Sequence, residues 1–159
     1  DNAAHWLTAI ADALAEADPE NSGAYRANAA AGQAEIRAAM QEAARRLEDA
    51  GAIRYLVFHD AYQYFETRFD LAPVGAVTLS DAKTPGPARI ARLQQQLKRT
   101  GANCLLIEPR QGSALTGIFA GNGDMKIVDI DPLGTALTPG TGFYTALLAS
   151  LADSFSACR

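Results

Sequence analysis

The run Tyr55-Leu56-Val57-Phe58-His59-Asp60-Ala61-Tyr62-Gln63-Tyr64-Phe65-Glu66 decides how the chain is read. Four consecutive bulky apolar residues have the length of a strand buried on both faces. The strand ends in His-Asp, and an aromatic helical stretch follows at once. Open α/β folds bind ligands in the crevice outside the carboxyl ends of their strands, so this order puts an imidazole where a site is expected.

Outward from this run, the chain beyond Gly51 alternates short apolar runs with helical stretches, the pattern of β-α units on a parallel sheet. Strands are predicted at 54–58, 74–79, 103–107 and 125–130, and helices at 60–69, 87–99, 112–120 and 142–156. In the helix 87–99, Ile90, Leu93 and Leu97 face inward, Lys98 and Arg99 stand near the end, and Gly101 lies just past it. The last helix repeats the rhythm with Tyr144, Leu147, Leu148, Leu151 and Phe155. Gly121-Asn122-Gly123 precedes a strand, whereas a phosphate loop follows one, so it reads as a turn.

Upstream, Trp6, Leu7, Ile10 and Leu14 mark one face of a helix over 3–17. Asp18-Pro19-Glu20 then supplies an N-cap carboxylate, a first-turn proline and an acid. From there Tyr25, Ala29, Gly32, Ile36, Met40, Ala43 and Leu47 step by three and four along one long helix within residues 20–48. At about 1.5 Å per residue it reaches about 40 Å, more than a small sheet covers, so part of it is expected to face a neighbour outside this chain. The predicted class is α/β: a four-stranded, mostly parallel sheet flanked by helices and preceded by a long helix. Residues 1–50 form the N-terminal helices and 51–159 the α/β lobe, in one compact unit.

With 159 residues, 48% of them hydrophobic and 20% charged, the chain has the composition of one globular core. A net charge of -4 and a pI near 5.1 argue against nucleic acid as a partner, since phosphate binding needs a basic face. No apolar run approaches the roughly 18 residues of a membrane span, and no signal peptide is visible. The first residue is Asp, not Met, so either a leader and more have been removed or this is a piece of a longer protein. Cys104 and Cys158 are too far apart for a CxxC motif. They are either two buried thiols or one disulfide, which would close a loop of roughly 55 residues worth about 4 kcal/mol in chain entropy and imply an oxidising compartment.

If the strands are parallel, the residues just after them share a rim: His59 and Asp60, Ser80 and Asp81, Glu108, and Asp131. One imidazole among carboxylates suits a divalent cation. Each also has a structural reading. His59 can bond a nearby carbonyl, Asp60 can cap the next helix, and Glu108 and Asp131, each before a proline, can serve as turn acceptors. Tyr62, Phe65 and Phe69 share a helical stripe that reads as core. No Gly-x-Ser-x-Gly elbow is present, Cys104 sits inside a strand, and His5 at a helix start reads as exposed.

Asp18-Pro19-Glu20-Asn21, Val57-Phe58-His59-Asp60-Ala61-Tyr62-Gln63-Tyr64-Phe65-Glu66, Cys104 to Pro109, and Asp131-Pro132-Leu133-Gly134 together resemble the C-terminal lobe of the zinc-uptake solute-binding proteins of bacterial ABC transporters. The resemblance covers essentially the whole chain. It implies a periplasmic receptor with two α/β lobes joined by a long helix, zinc held between the lobes as cargo, delivery to a membrane permease, and no catalysis. On it, His59 matches the histidine ligand of the C-terminal lobe and Asp131 the aspartate that completes the site in other members. Asp60 and Glu108 stand behind them. A histidine at position 59 favours zinc over manganese. The resemblance also implies a Cys104–Cys158 disulfide. The remaining histidine ligands belong to a lobe that would precede Asp1, and His5 matches none of them. Glu108-Pro109-Arg110-Gln111 stands where the family usually reads Glu-Pro-Gln-Phe.

The isolated chain is thus expected to bind zinc weakly and to self-associate through surface that the other lobe would cover. The rival reading is a small metal-assisted hydrolase using His59, Asp60, Glu108 and Asp131 on the same rim, and a third is a metal-free interaction domain.

Overall fold

Helix α1 (Asn2–Ala17) folds back along helix α2 (Ser22–Ala50) across one 3-10 turn, Pro19–Asn21, in the computed structural model, which describes residues 2–78, 85–109, 117–119 and 125–159. Small residues set the pairing. Ala11 and Ala15 are buried, a Cβ on Gly32 would lie 2.9 Å from Leu7 Cδ1, and Gln33 Nε2 donates to Ala4 O and Thr8 Oγ1. The stripe expected on one face of α1 lies largely at the surface: Trp6, Ile10 and Leu14 are 65%, 55% and 43% exposed, while Leu7 packs against Gly32 of α2. Asp18 is the N-cap residue of the Pro19–Asn21 turn, with Pro19 and Glu20 in its first turn as expected; its carboxylate accepts from Asn21 Nδ2 and Tyr25 Oη, and α2 begins only at Ser22.

The strands are β1 (Tyr55–His59), β2 (Gly75–Thr78), β3 (Cys104–Ile107) and β4 (Lys126–Asp129), all parallel, in the order β2-β1-β3-β4. The α/β expectation therefore holds. Helices α3 (Gln63–Phe69), α4 (Pro87–Thr100) and α5 (Phe143–Ser156) complete the layers. Alternate residues of β1 serve opposite cores, as period two requires. Tyr55 and Val57 join Ala43, Leu47, Phe65, Leu148 and Phe155, while Leu56 and Phe58 join Leu93, Leu97 and Phe119. The predicted core stripe of Tyr62, Phe65 and Phe69 is found as such, with Phe65 stacked on Phe155 at 5.2 Å.

Two ends of the sheet are managed differently. Arg89 on α4 donates to the Ala76 and Val77 carbonyls, covering polar groups of edge strand β2. Strand β4, predicted from its apolar run, is largely exposed because it is the other edge. Helix α4 ends as its sequence says: Gly101 takes the left-handed conformation (φ 69°), and Arg54 Nη1 donates to Thr100 O. Of the helix expected at 112–120, residues 117–119 are helical, and the rest lies outside the described residues, as do Ser80, Asp81, Arg110, Gln111 and the Gly121-Asn122-Gly123 turn.

Candidate metal site

The strand order places β1 between β2 and β3, so the chain leaves β1 on one side and returns to the other. That reversal is a topological switch point, and its crevice opens at the carboxyl ends of β1 and β3. Those ends carry His59 and Glu108. Because Val57 is paired with Leu106, positions 59 and 108 fall level beyond it.

His59 Nδ1 lies 3.7 Å from Glu108 Oε1, with each side chain 21% exposed. This is a charge-pair separation and longer than a hydrogen bond. The same Oε1 accepts from Tyr62 Oη at 2.9 Å. Burial, then the Glu108 hydrogen bond and the charges of Glu108, Glu66 and Asp131, push the Tyr62 hydroxyl far above its ordinary range, so it remains a donor. Below it Tyr55 Oη donates to Glu66 Oε1 at 2.8 Å in a buried pair. Sequence reading missed both tyrosines as polar anchors. The available signal was the choice of Tyr over Phe at buried positions, since a buried phenol needs a partner.

Asp60 departs from its expected role as a helix cap. Ala61 N donates to His59 O in a tight turn, α3 starts at Gln63 and not at 60, and its N-cap residue is Tyr62. Asp60 is left exposed, where its charge helps raise Glu66. Glu108 Oε1 accepts from Tyr62 Oη, a partner 46 residues away in the chain.

Asp131 does fill the turn role. Its Oδ1 accepts from Leu133 N at 3.1 Å, and its Oδ2 accepts from Thr135 Oγ1 at 2.8 Å and from Ala136 N at 3.4 Å. Partial desolvation raises its carboxyl, but hydrogen bonds from Thr135, Leu133 and Ala136 outweigh it and hold the group below the usual range. The loop is fixed by Gly134 at φ 64°, where a Cβ would meet Phe143 Cζ at 2.8 Å. This accounts for the glycine of Asp-Pro-Leu-Gly.

Among the described residues, no three His, Cys, Asp or Glu side chains come together closely enough to hold a metal ion. The rim presents His59 backed by Glu108, with Asp131 near enough to act on Tyr62. Cys104 and Cys158 form a disulfide with Cα atoms 5.4 Å apart.

The family model described as zinc-uptake complex component A, periplasmic, matches residues 1–158. The chain belongs to that family. It is 37% identical over 158 residues to the high-affinity zinc uptake system protein ZnuA of Paracoccus denitrificans, covering 99% of this chain and 48% of that protein. The Brucella abortus ZnuA is likewise 37% identical over 149 residues, 94% of this chain and 45% of that one. The chain thus spans about half the length of these relatives. In structure it resembles a crystal structure of ZnuA, with a TM-score of 0.79 at 23% identity, covering 95% of this chain and 54% of that one. A laminin-binding adhesin of Streptococcus agalactiae also gives 0.79, at 20% identity over 94% and 57%. At these identities the two structures speak for the fold alone. Among the described residues, no helix is long and apolar enough to cross a membrane.

Proposed function

We propose that this chain is the C-terminal lobe of a periplasmic zinc receptor, which closes on the ion from one side and hands it to an ABC-transporter permease, without catalysis. The observation that carries this is His59 at the switch-point crevice, backed by Glu108, in a member of the zinc-uptake family. His59 supplies one ligand and Asp131 faces the same rim, with Glu108 and Asp60 behind them. A closed zinc site uses four protein ligands and an open one three. The remaining ligands then come from a second lobe, for which the greater length of the relatives leaves room. Membership of an uptake family supports transport over the metal-assisted hydrolase reading.

Calorimetry tests this. The chain alone should bind zinc no tighter than about 10 μM, near -7 kcal/mol. Joining it to an upstream half like that of its relatives should tighten binding by several orders of magnitude, and His59→Ala in the longer protein should lose much of that gain. Nanomolar binding by the chain alone, or indifference of the longer protein to His59→Ala, overturns the half-site reading.

A further inference from the structure

We propose that Glu108 and Tyr62 are positioning residues for His59: the Glu108 carboxylate, anchored by the buried Tyr62 hydroxyl, selects the imidazole tautomer with its hydrogen on Nδ1 and makes Nε2 the nitrogen that carries the lone pair for a metal. The inference deepens the receptor reading and rests on His59 being a zinc ligand.

An ionised carboxylate only accepts hydrogen bonds. With Oε1 at 3.7 Å from Nδ1, a lone pair on that nitrogen would face the negative oxygen, whereas an N–H there is attracted to it. The preference is strengthened because both side chains are mostly shielded from water, where charge interactions are less damped. Register adds to it: Val57 pairs with Leu106 on adjacent parallel strands, so His59 at the end of β1 and Glu108 just past the end of β3 come out side by side, and their juxtaposition is built into the backbone.

Tyr62 then fixes the carboxylate itself. Its hydroxyl donates to the same Oε1, and its ring is buried and meets Phe155 edge-on at 6.0 Å. The order of support runs from the core through Phe155 and Tyr62 to Glu108 and His59. Carboxylates that orient a ligating histidine in this way typically change metal affinity by 10–100-fold when removed.

Nitrogen-15 NMR of the full chain tests the proposal without metal. The chain has only two histidines, and His5→Gln assigns the spectrum. In spectra recorded at about pH 8, His59 should show the Nδ1–H form, although unconstrained imidazole side chains favour Nε2–H. Glu108→Ala should return His59 to the Nε2–H form and Tyr62→Phe should shift it part of the way. Glu108→Gln, whose amide oxygen still accepts, should retain Nδ1–H. In the longer two-lobe protein, Glu108→Ala should weaken zinc binding at least 10-fold and Glu108→Gln by less. An Nε2–H form in the unmodified chain overturns the proposal even if Glu108→Ala fails to fold. So does an unchanged zinc affinity in a folded Glu108→Ala protein. Loss of the receptor reading shows separately, as zinc binding indifferent to His59→Ala.

Discussion

Glu66 is a carboxylate only 6% exposed, one turn of helix beyond Tyr62. Burial pushes its carboxyl above the ordinary value of 4.5, against the lowering effect of the Tyr55 hydrogen bond, and the Asp60 charge adds to the rise. A group that holds its proton more tightly when folded stabilises the fold fully below its unfolded value, and that contribution is lost as pH rises through the folded value. At neutral pH the buried charge is therefore a cost. Glu66→Gln keeps an acceptor for Tyr55 and removes the charge, so its melting temperature should exceed that of the unmodified chain at pH 7, with the gain shrinking toward pH 4.5 and below. Asp131 has the opposite sign: its contribution is present above 3.8 and lost as pH falls. Part of this was legible in the sequence, since His59, Glu108 and Asp131 follow apolar runs and so had to share a rim if the strands were parallel. Tyr62 with Glu108 was not legible. The two are 46 residues apart, and their meeting depends on β3 lying beside β1, which no local pattern states.

Among the elements, the link between β3 and the end of α5 has the clearest energetic consequence. Cys104 is fully buried and Cys158 is 3% exposed, so their bridge lies within the core that also holds Tyr55, Leu106 and Phe155. It closes a separation of 54 residues, for which chain entropy gives about 4 kcal/mol. Replacing both cysteines with alanine should lower the melting temperature by on the order of 10 °C, at about 2–4 °C per kcal/mol for a chain of this size. A change of one or two degrees in calorimetry would contradict the entropic account. Spacing alone left thiols or a disulfide open, because pairing depends on α5 returning over the β1 and β3 face. The two candidate N-caps fared differently. Asp18 does stand at the N-cap of the Pro19–Asn21 turn, with its carboxylate engaged by Asn21 and Tyr25, whereas the tight turn at His59 to Ala61 leaves Asp60 short of the α3 start at Gln63.

For the molecule as a whole, the open question posed by the structure is the outer stripe of α1. Sequence periodicity put Trp6, Leu7, Ile10 and Leu14 on one face of α1, and close helix packing uses the small residues Ala11 and Ala15 with Leu7 set against Gly32. The large side chains point outward, with Trp6 65% exposed. Nearby, Tyr64, Phe65, Phe69, Leu147 and Leu151 line an open, mostly apolar groove of about 660 Å³ between α3 and α5, with Asn2 of α1 and Met40 of α2 at its wall. Contiguous apolar surface of this kind seeks cover. When residues 1–159 stand alone, a second copy can supply that cover. The isolated chain should therefore dimerise as its concentration rises, by burying the stripe or by exchanging α1 between two copies, since the short Pro19–Asn21 connection is the sole covalent link between α1 and α2. Sedimentation should show the dimer, and Trp6→Glu with Ile10→Glu should return it to monomer with little change in melting temperature, because neither side chain is buried in the folded chain. A strictly monomeric profile at high concentration would mean that the stripe tolerates water on its own.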